Sequence, residues 1–174
     1  MYELIKLIVE FENVNGRLYD LSFVLPSTGV PNLLMSFKNK ANYQKIAQHY
    51  SGSLICLYDD SGNWANDDYI ISWIDANGEP NLPISLSFKQ FLSILPYGTG
   101  LIYDVLYLIN KHHNKTKLNQ YLDEDYSSKI WSEQLLTNKS HYKNHTLFID
   151  FISSNGIELA KDPLTIIKDT NNIK

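Results

Sequence analysis

Two residue types are nearly missing from this chain: it holds one cysteine, Cys56, and one arginine, Arg17. A lone cysteine rules out an internal disulfide and a cysteine-based zinc cage. Its place inside the apolar run SLICLY points to a buried core position. Arginine is the side chain best suited to bidentate phosphate contacts. With 15 basic residues against 19 acidic ones and a net charge of −4, the chain lacks the basic stripe that nucleic-acid binding requires. No apolar stretch approaches the ~20 residues of a membrane span. The opening MYELIKLIVEFEN carries acidic residues where a signal peptide would be apolar, so a cytoplasmic protein without a membrane partner is expected. Internal repeats and low-complexity tracts are also missing.

What remains is ordinary globular material. Hydrophobic residues make up 44% and charged residues 20%, far from the balance that keeps a chain disordered. A length of 174 residues is enough for one core without staples, so residues 1–174 are expected to form a single globular domain with 169–174 as a frayed tail. Twelve tyrosines favour binding, because tyrosine joins apolar area to a hydroxyl that works at wet interfaces.

The β-branched and aromatic content of ELIKLIVEF and the alternation in RLYDLSFVL predict a hairpin turning at Asn15-Gly16. LLMSF supplies a further short strand. Tyr43, Ile46, Ala47 and Tyr50 recur at helical spacing, which predicts an amphipathic helix over 38–50 ended by Gly52. SLICLY and YIISWI predict strands, with a tight turn at Asn77-Gly78 after the second. SLSFKQFLSIL predicts a serine-capped helix, and LIYDVLYLINKHH a deeply packed one with Thr99 as its N-cap. One or two helices follow over 115–136, broken at the acidic DEDY, and HTLFIDFIS predicts a strand leading to a turn at Asn155-Gly156. Hairpin-like strands with helices grouped between 87 and 137 give an α+β fold, a mainly antiparallel sheet packed against several helices.

The stretch YDDSGNWANDDYIISWIDANGE, residues 58–79, concentrates five aspartates, a glutamate and two tryptophans. It fails the calcium-loop pattern, because the sixth residue from Asp59 is Trp64 and from Asp60 is Ala65, where that loop needs glycine. Asp75 to Glu79 spells a hairpin turn. No spacing sets up a carboxylate pair with separated pKa values, so no catalytic role is assigned. A tryptophan in an acidic loop is a plausible anchor for a basic partner, and the competing reading folds Trp64 back onto the sheet. The partner-binding candidates are Asp59, Asp60, Trp64, Asp67 and Asp68, while Trp73 belongs to a strand and the core.

His112 and His113 sit at a helix end, where an imidazolium suits the dipole. His141 and His145 are four apart but lack the glutamate of a zinc helix, and the strand expected from His145 argues against a shared helix. No serine elbow or P-loop is present; LPYGTGL is a turn and helix start. Asp123, Glu124 and Asp125 form a solvated break. No metal, cofactor or catalytic set is expected.

The order FVLPS, apolar strand, DDSGNW loop, strand, ANGE turn and SFKQFL resembles the SUKH superfamily of bacterial immunity proteins, over roughly Phe23 to Leu95. That family places a helix before the leucine-proline segment, where this sequence reads as a hairpin. The resemblance implies a non-enzymatic antagonist that binds a cognate basic toxin, plausibly a nuclease, and covers its active site. The alternatives are a small hydrolase or phosphodiesterase built from dispersed His and Asp residues, and a phage-encoded interaction protein.

Overall fold

The computed structural model describes residues 1–26, 42–59, 69–76, 82–112 and 114–173. The strand LLMSF, the Asn77-Gly78 turn and His113 lie outside them. Among the described residues the fold is α+β: a five-stranded antiparallel sheet in the order β1 to β5 packed against seven helices.

The strands are β1 (Leu21–Phe23), β2 (Tyr43–His49), β3 (Leu54–Tyr58), β4 (Ile70–Ile74) and β5 (Leu82–Ser85). Alternation sorts β3 cleanly. Ile55 and Leu57 join the main core under the helices, while Leu54 and Cys56 join Tyr43 and Ile74 in a smaller cluster on the other face. Cys56 is fully buried, and burial pushes its thiol up to about 12, so it is an inert core group. Over its described residues the expected helix of 38–50 is instead strand β2. A bulge between Lys45 and Ala47 breaks its alternation, so the consecutive Ile46 and Ala47 both reach the main core.

The expected amino-terminal hairpin is also overturned: residues 2–15 form helix α1 (Tyr2–Asn15). Ile5 and Ile8 face the core, and tertiary burial outweighs the strand preference of its β-branched residues. Gly16, at φ 88°, terminates the helix and donates its N–H to Glu12 O. A positive-φ glycine serves a helix C-terminus as readily as a hairpin. The Glu12 carboxylate then accepts from Leu18 N at 3.0 Å and Phe23 N at 2.7 Å, tying α1 to β1.

Helix α2 (Phe88–Ile94) is capped by Ser87, whose hydroxyl accepts from Gln90 N, and a 3-10 turn over Leu95–Tyr97 leads to α3 (Thr99–Lys111). Gly98, not Thr99, is the N-cap of α3. Helices α4 (Lys115–Asp125) and α5 (Ser128–His141) are split at Tyr126 and Ser127, so Asp123 to Asp125 form the last turn of α4 and not the break. The strand expected over 145–153 is helix α6 (His145–Ser154), whose His145, Phe148 and Ile152 are buried at helical spacing. No strand follows Asn155-Gly156.

Residues 163–173 are tied to the sheet. Asp162 caps α7 (Pro163–Thr170) by accepting from Thr165 N. Asn171 donates to Pro83 O on β5 at 2.8 Å, and Ile173 is only 4% exposed. Among the described residues no single helix is long and apolar enough to cross a membrane.

Candidate functional site

The turn joining β2 to β3, the end of β4 and the amino end of α3 meet around an open cleft of about 490 Å³. That volume lies in the range of about 300–1,000 Å³ usual for small-ligand sites. Three stretches distant in sequence, 49–53, 73–76 and 99–104, supply its walls.

The β2–β3 turn is held by His49 N donating to Ser53 O and Gly52 N to His49 O, both 2.9 Å. The His49 ring is fixed locally. Ser51 N donates to its Nδ1 at 3.3 Å, and Ser51 Oγ lies 2.8 Å from the same nitrogen. A backbone N–H can only donate, so Nδ1 is the acceptor and the ring proton sits on Nε2, which faces Thr99 Oγ1 at 3.4 Å. Thr99 Oγ1 in turn donates to Tyr19 O at 3.0 Å. Burial lowers the His49 pKa against the opposing charge of Asp20, so the ring is neutral at pH 7.

The α3 wall is positioned by two unusual backbone segments. Gly98 has φ 96°, and a Cβ there would lie 2.7 Å from Asn138 Nδ2, which donates to Pro96 O. Tyr19 and Asp20 hold φ of 48° and 65° in the turn closed by Leu21 N on Leu18 O. Each such residue costs roughly 1–2 kcal/mol. The turn is held by Tyr19 OH against His145 Nδ1 at 2.8 Å and by Tyr142 OH donating to Asp20 Oδ2 at 2.7 Å.

An aromatic row lines the cleft. Ring centroids run from Tyr50 to His49 at 4.4 Å, His49 to Trp73 at 5.2 Å and Trp73 to Tyr103 at 5.3 Å. Tyr50 is 75% exposed and Trp73 only 3%. The row continues beyond the cleft to Tyr107, over which Lys111 Nζ sits at 5.4 Å. Beside it stand two carboxylates. Asp75 accepts from Tyr103 OH at 2.8 Å, and burial together with that bond pushes the Tyr103 hydroxyl up to about 12. Partial removal from water raises Asp104. No lysine or arginine lines the cleft among the described residues.

Of the five partner-binding candidates picked out by sequence, Asp59 alone lies among the described residues, and it stands away from the cleft. Asp59 follows β3 at the opposite end of the sheet, where its N–H bonds Asn42 O at 3.1 Å. The five residues of β3 put it about 17 Å from the cleft end. Asp60, Trp64, Asp67 and Asp68 lie outside the described residues. Trp73 is core, as expected, with its edge in the cleft wall. His141 closes α5 and His145 opens α6, so the pair shares no helix, although the reason is not the expected strand. His112 ends α3 and stacks on Tyr121. Asp123 pairs with Lys168 at 2.8 Å. Among the described residues no three histidine, cysteine or acidic side chains converge to hold a metal ion.

Sequence reasoning missed the cleft because its parts converge only in the fold. The available signals were small: a polar turn, HYSGS, and the GTG before α3. No family model, no curated protein and no solved structure matches the chain.

Proposed function

We propose that the protein is a non-enzymatic antagonist, an immunity-type protein that binds a basic toxin and covers its active site. The observation that carries this reading is the aromatic row beside Asp75 and Asp104 in a cleft that no cation lines among the described residues. Aromatic anchors ringed by carboxylates suit a cationic surface, and a net charge of −4 speeds its encounter. Helix α1 adds support to the SUKH resemblance, since a helix stands before the leucine-proline segment where that family has one. In this reading Asp59, at the far end of the sheet, belongs to the interface together with Asp60, Trp64, Asp67 and Asp68, which lie outside the described residues.

The test is co-expression with the protein encoded immediately upstream. Growth rescue and an isolable complex are expected, with association slowed when Asp75 and Asp104 are both changed to lysine. A neighbour that is harmless, or toxic without rescue, sinks the assignment.

A second reading, the small hydrolase, draws on the 2.8 Å contact between Ser51 Oγ and His49 Nδ1. A serine two residues from its histidine in a tight turn, with its own N–H on the same nitrogen, also meets the needs of the turn alone. Labelling of Ser51 by a fluorophosphonate, lost in His49→Gln, would favour the hydrolase.

A further inference from the structure

We infer that the cleft between the β2–β3 turn and α3 is the seat of one arginine side chain, presented by the partner and held between the aromatic row and the carboxylates of Asp75 and Asp104. This rests on the antagonist reading and names the group that its cleft recognises.

Charge is the first ground. Asp75 and Asp104 are the only ionised groups lining the cleft among the described residues, because His49 is neutral with its proton directed at Thr99. The amino end of α3, at Thr99 and Gly100, contributes about half a positive charge. Two carboxylates outweigh it, so an anionic ligand is disfavoured and a cation is favoured. Among the described residues no three ligating side chains converge, which favours an organic cation over a bare metal ion.

Shape selects the kind of cation. The rings of Tyr50, His49, Trp73 and Tyr103 succeed one another at 4.4 to 5.3 Å, each tilted by 45° to 52° on the next, and with Trp73 buried it is chiefly the exposed Tyr50 that offers the cleft an accessible aromatic surface. A guanidinium is planar, weakly hydrated and able to stack on such a surface while its N–H fork meets a carboxylate. An ammonium is a strongly hydrated point charge and gains less there. Asp104 forms no hydrogen bond or ion pair among the described residues, and its carboxyl, partly withdrawn from water, gains an arriving donor without losing an existing one. Asp75 is already oriented by Tyr103 OH and supplies fixed negative potential. The hydroxyls of Ser51 and Ser53, 3.2 Å apart, add acceptors at the rim for the remaining N–H groups.

The experiment is an NMR titration of the full chain with Nα-acetyl-arginine amide, its lysine counterpart and its citrulline counterpart, which keeps the shape and loses the charge. Saturable shifts are expected at the backbone N–H groups of Ser51, Ala76 and Gly100 with arginine, several-fold weaker with lysine and absent with citrulline. Asp104→Asn should weaken arginine roughly tenfold, Tyr50→Ser several-fold, and Asp125→Asn, at the end of α4, not at all. Citrulline binding as well as arginine, or Asp104→Asn folding normally and binding undiminished, overturns the assignment. Absence of arginine shifts while the upstream toxin is still neutralised overturns the arginine seat alone. Arginine binding without any toxin complex overturns the antagonist reading and leaves the seat standing.

Discussion

His49 and His145 have the same perturbation and opposite situations. Burial is the first cause in each, and each ring is held below the ordinary value of 6.5. His145 is 1% exposed, bonded to Tyr19 OH, and packed edge-on against that ring with Phe148 nearby in the same aromatic cluster. His49 lies at the wall of an open cleft between Ser51 and Thr99. A shifted pKa therefore marks removal from water, and access decides whether that removal can serve a ligand.

Breaking the buried member should have the largest effect. His145→Ala leaves a cavity and an unpartnered Tyr19 hydroxyl, for an expected loss of about 3 kcal/mol in urea unfolding. A loss below 1 kcal/mol would show that the core relaxes around the site. Next comes Gly98→Ala, which combines a strained φ with a clash on Asn138 and should cost about 2 kcal/mol. It should also disturb the cleft by shifting the start of α3, so arginine-amide shifts at Gly100 would shrink along with stability.

The pH dependence sharpens the comparison. A histidine whose folded pKa lies below 6.5 takes up its proton first in the unfolded chain, so stability is complete above 6.5 and falls as pH drops from there toward the folded values. Glu12 and Asp104 act in the opposite sense near their own range, since raised carboxyl pKa values favour the folded state when protonated, and that contribution fades as pH rises through them. Stability measured from pH 7.5 to 5.5 should decline, and His145→Gln should flatten the slope even though the variant is weaker overall. An unchanged slope would mean that His145 titrates normally. The smallest effect is expected from His49→Gln: under about 1 kcal/mol in stability, as for a partly exposed polar change, with a several-fold change in arginine affinity.

The strands β3 and β4 and the helices α2 to α5 were legible because their apolar spacing matched one period without interruption. Residues 43–50 misled because the bulge at Lys45 to Ala47 inserts one residue into a period of two. Tyr43, Ile46, Ala47 and Tyr50 then fall at helical intervals, although Tyr43 belongs to the opposite face and Tyr50 is largely exposed. Helices α1 and α6 were hidden by β-branched and aromatic residues whose strand preference yields to the burial of Ile5, Ile8, Phe148 and Ile152. Helix α7 did carry a signature, Asp162-Pro163 ahead of Leu164 and Ile167, which the tail reading passed over. The cleft was not legible at all. No local pattern places Ser51, Asp75 and Asp104 side by side; sheet register and the Gly98 turn do so.

Among the described residues, groups on both borders of the sheet are already engaged. On β1, the outward N–H groups of Leu21 and Phe23 are taken by Leu18 O and the Glu12 carboxylate. On β5, Pro83 has no N–H to offer, and its carbonyl accepts from Asn171. Among the described residues, these engaged groups disfavour a partner strand pairing at β1 or at Pro83 and disfavour edge-to-edge self-assembly there.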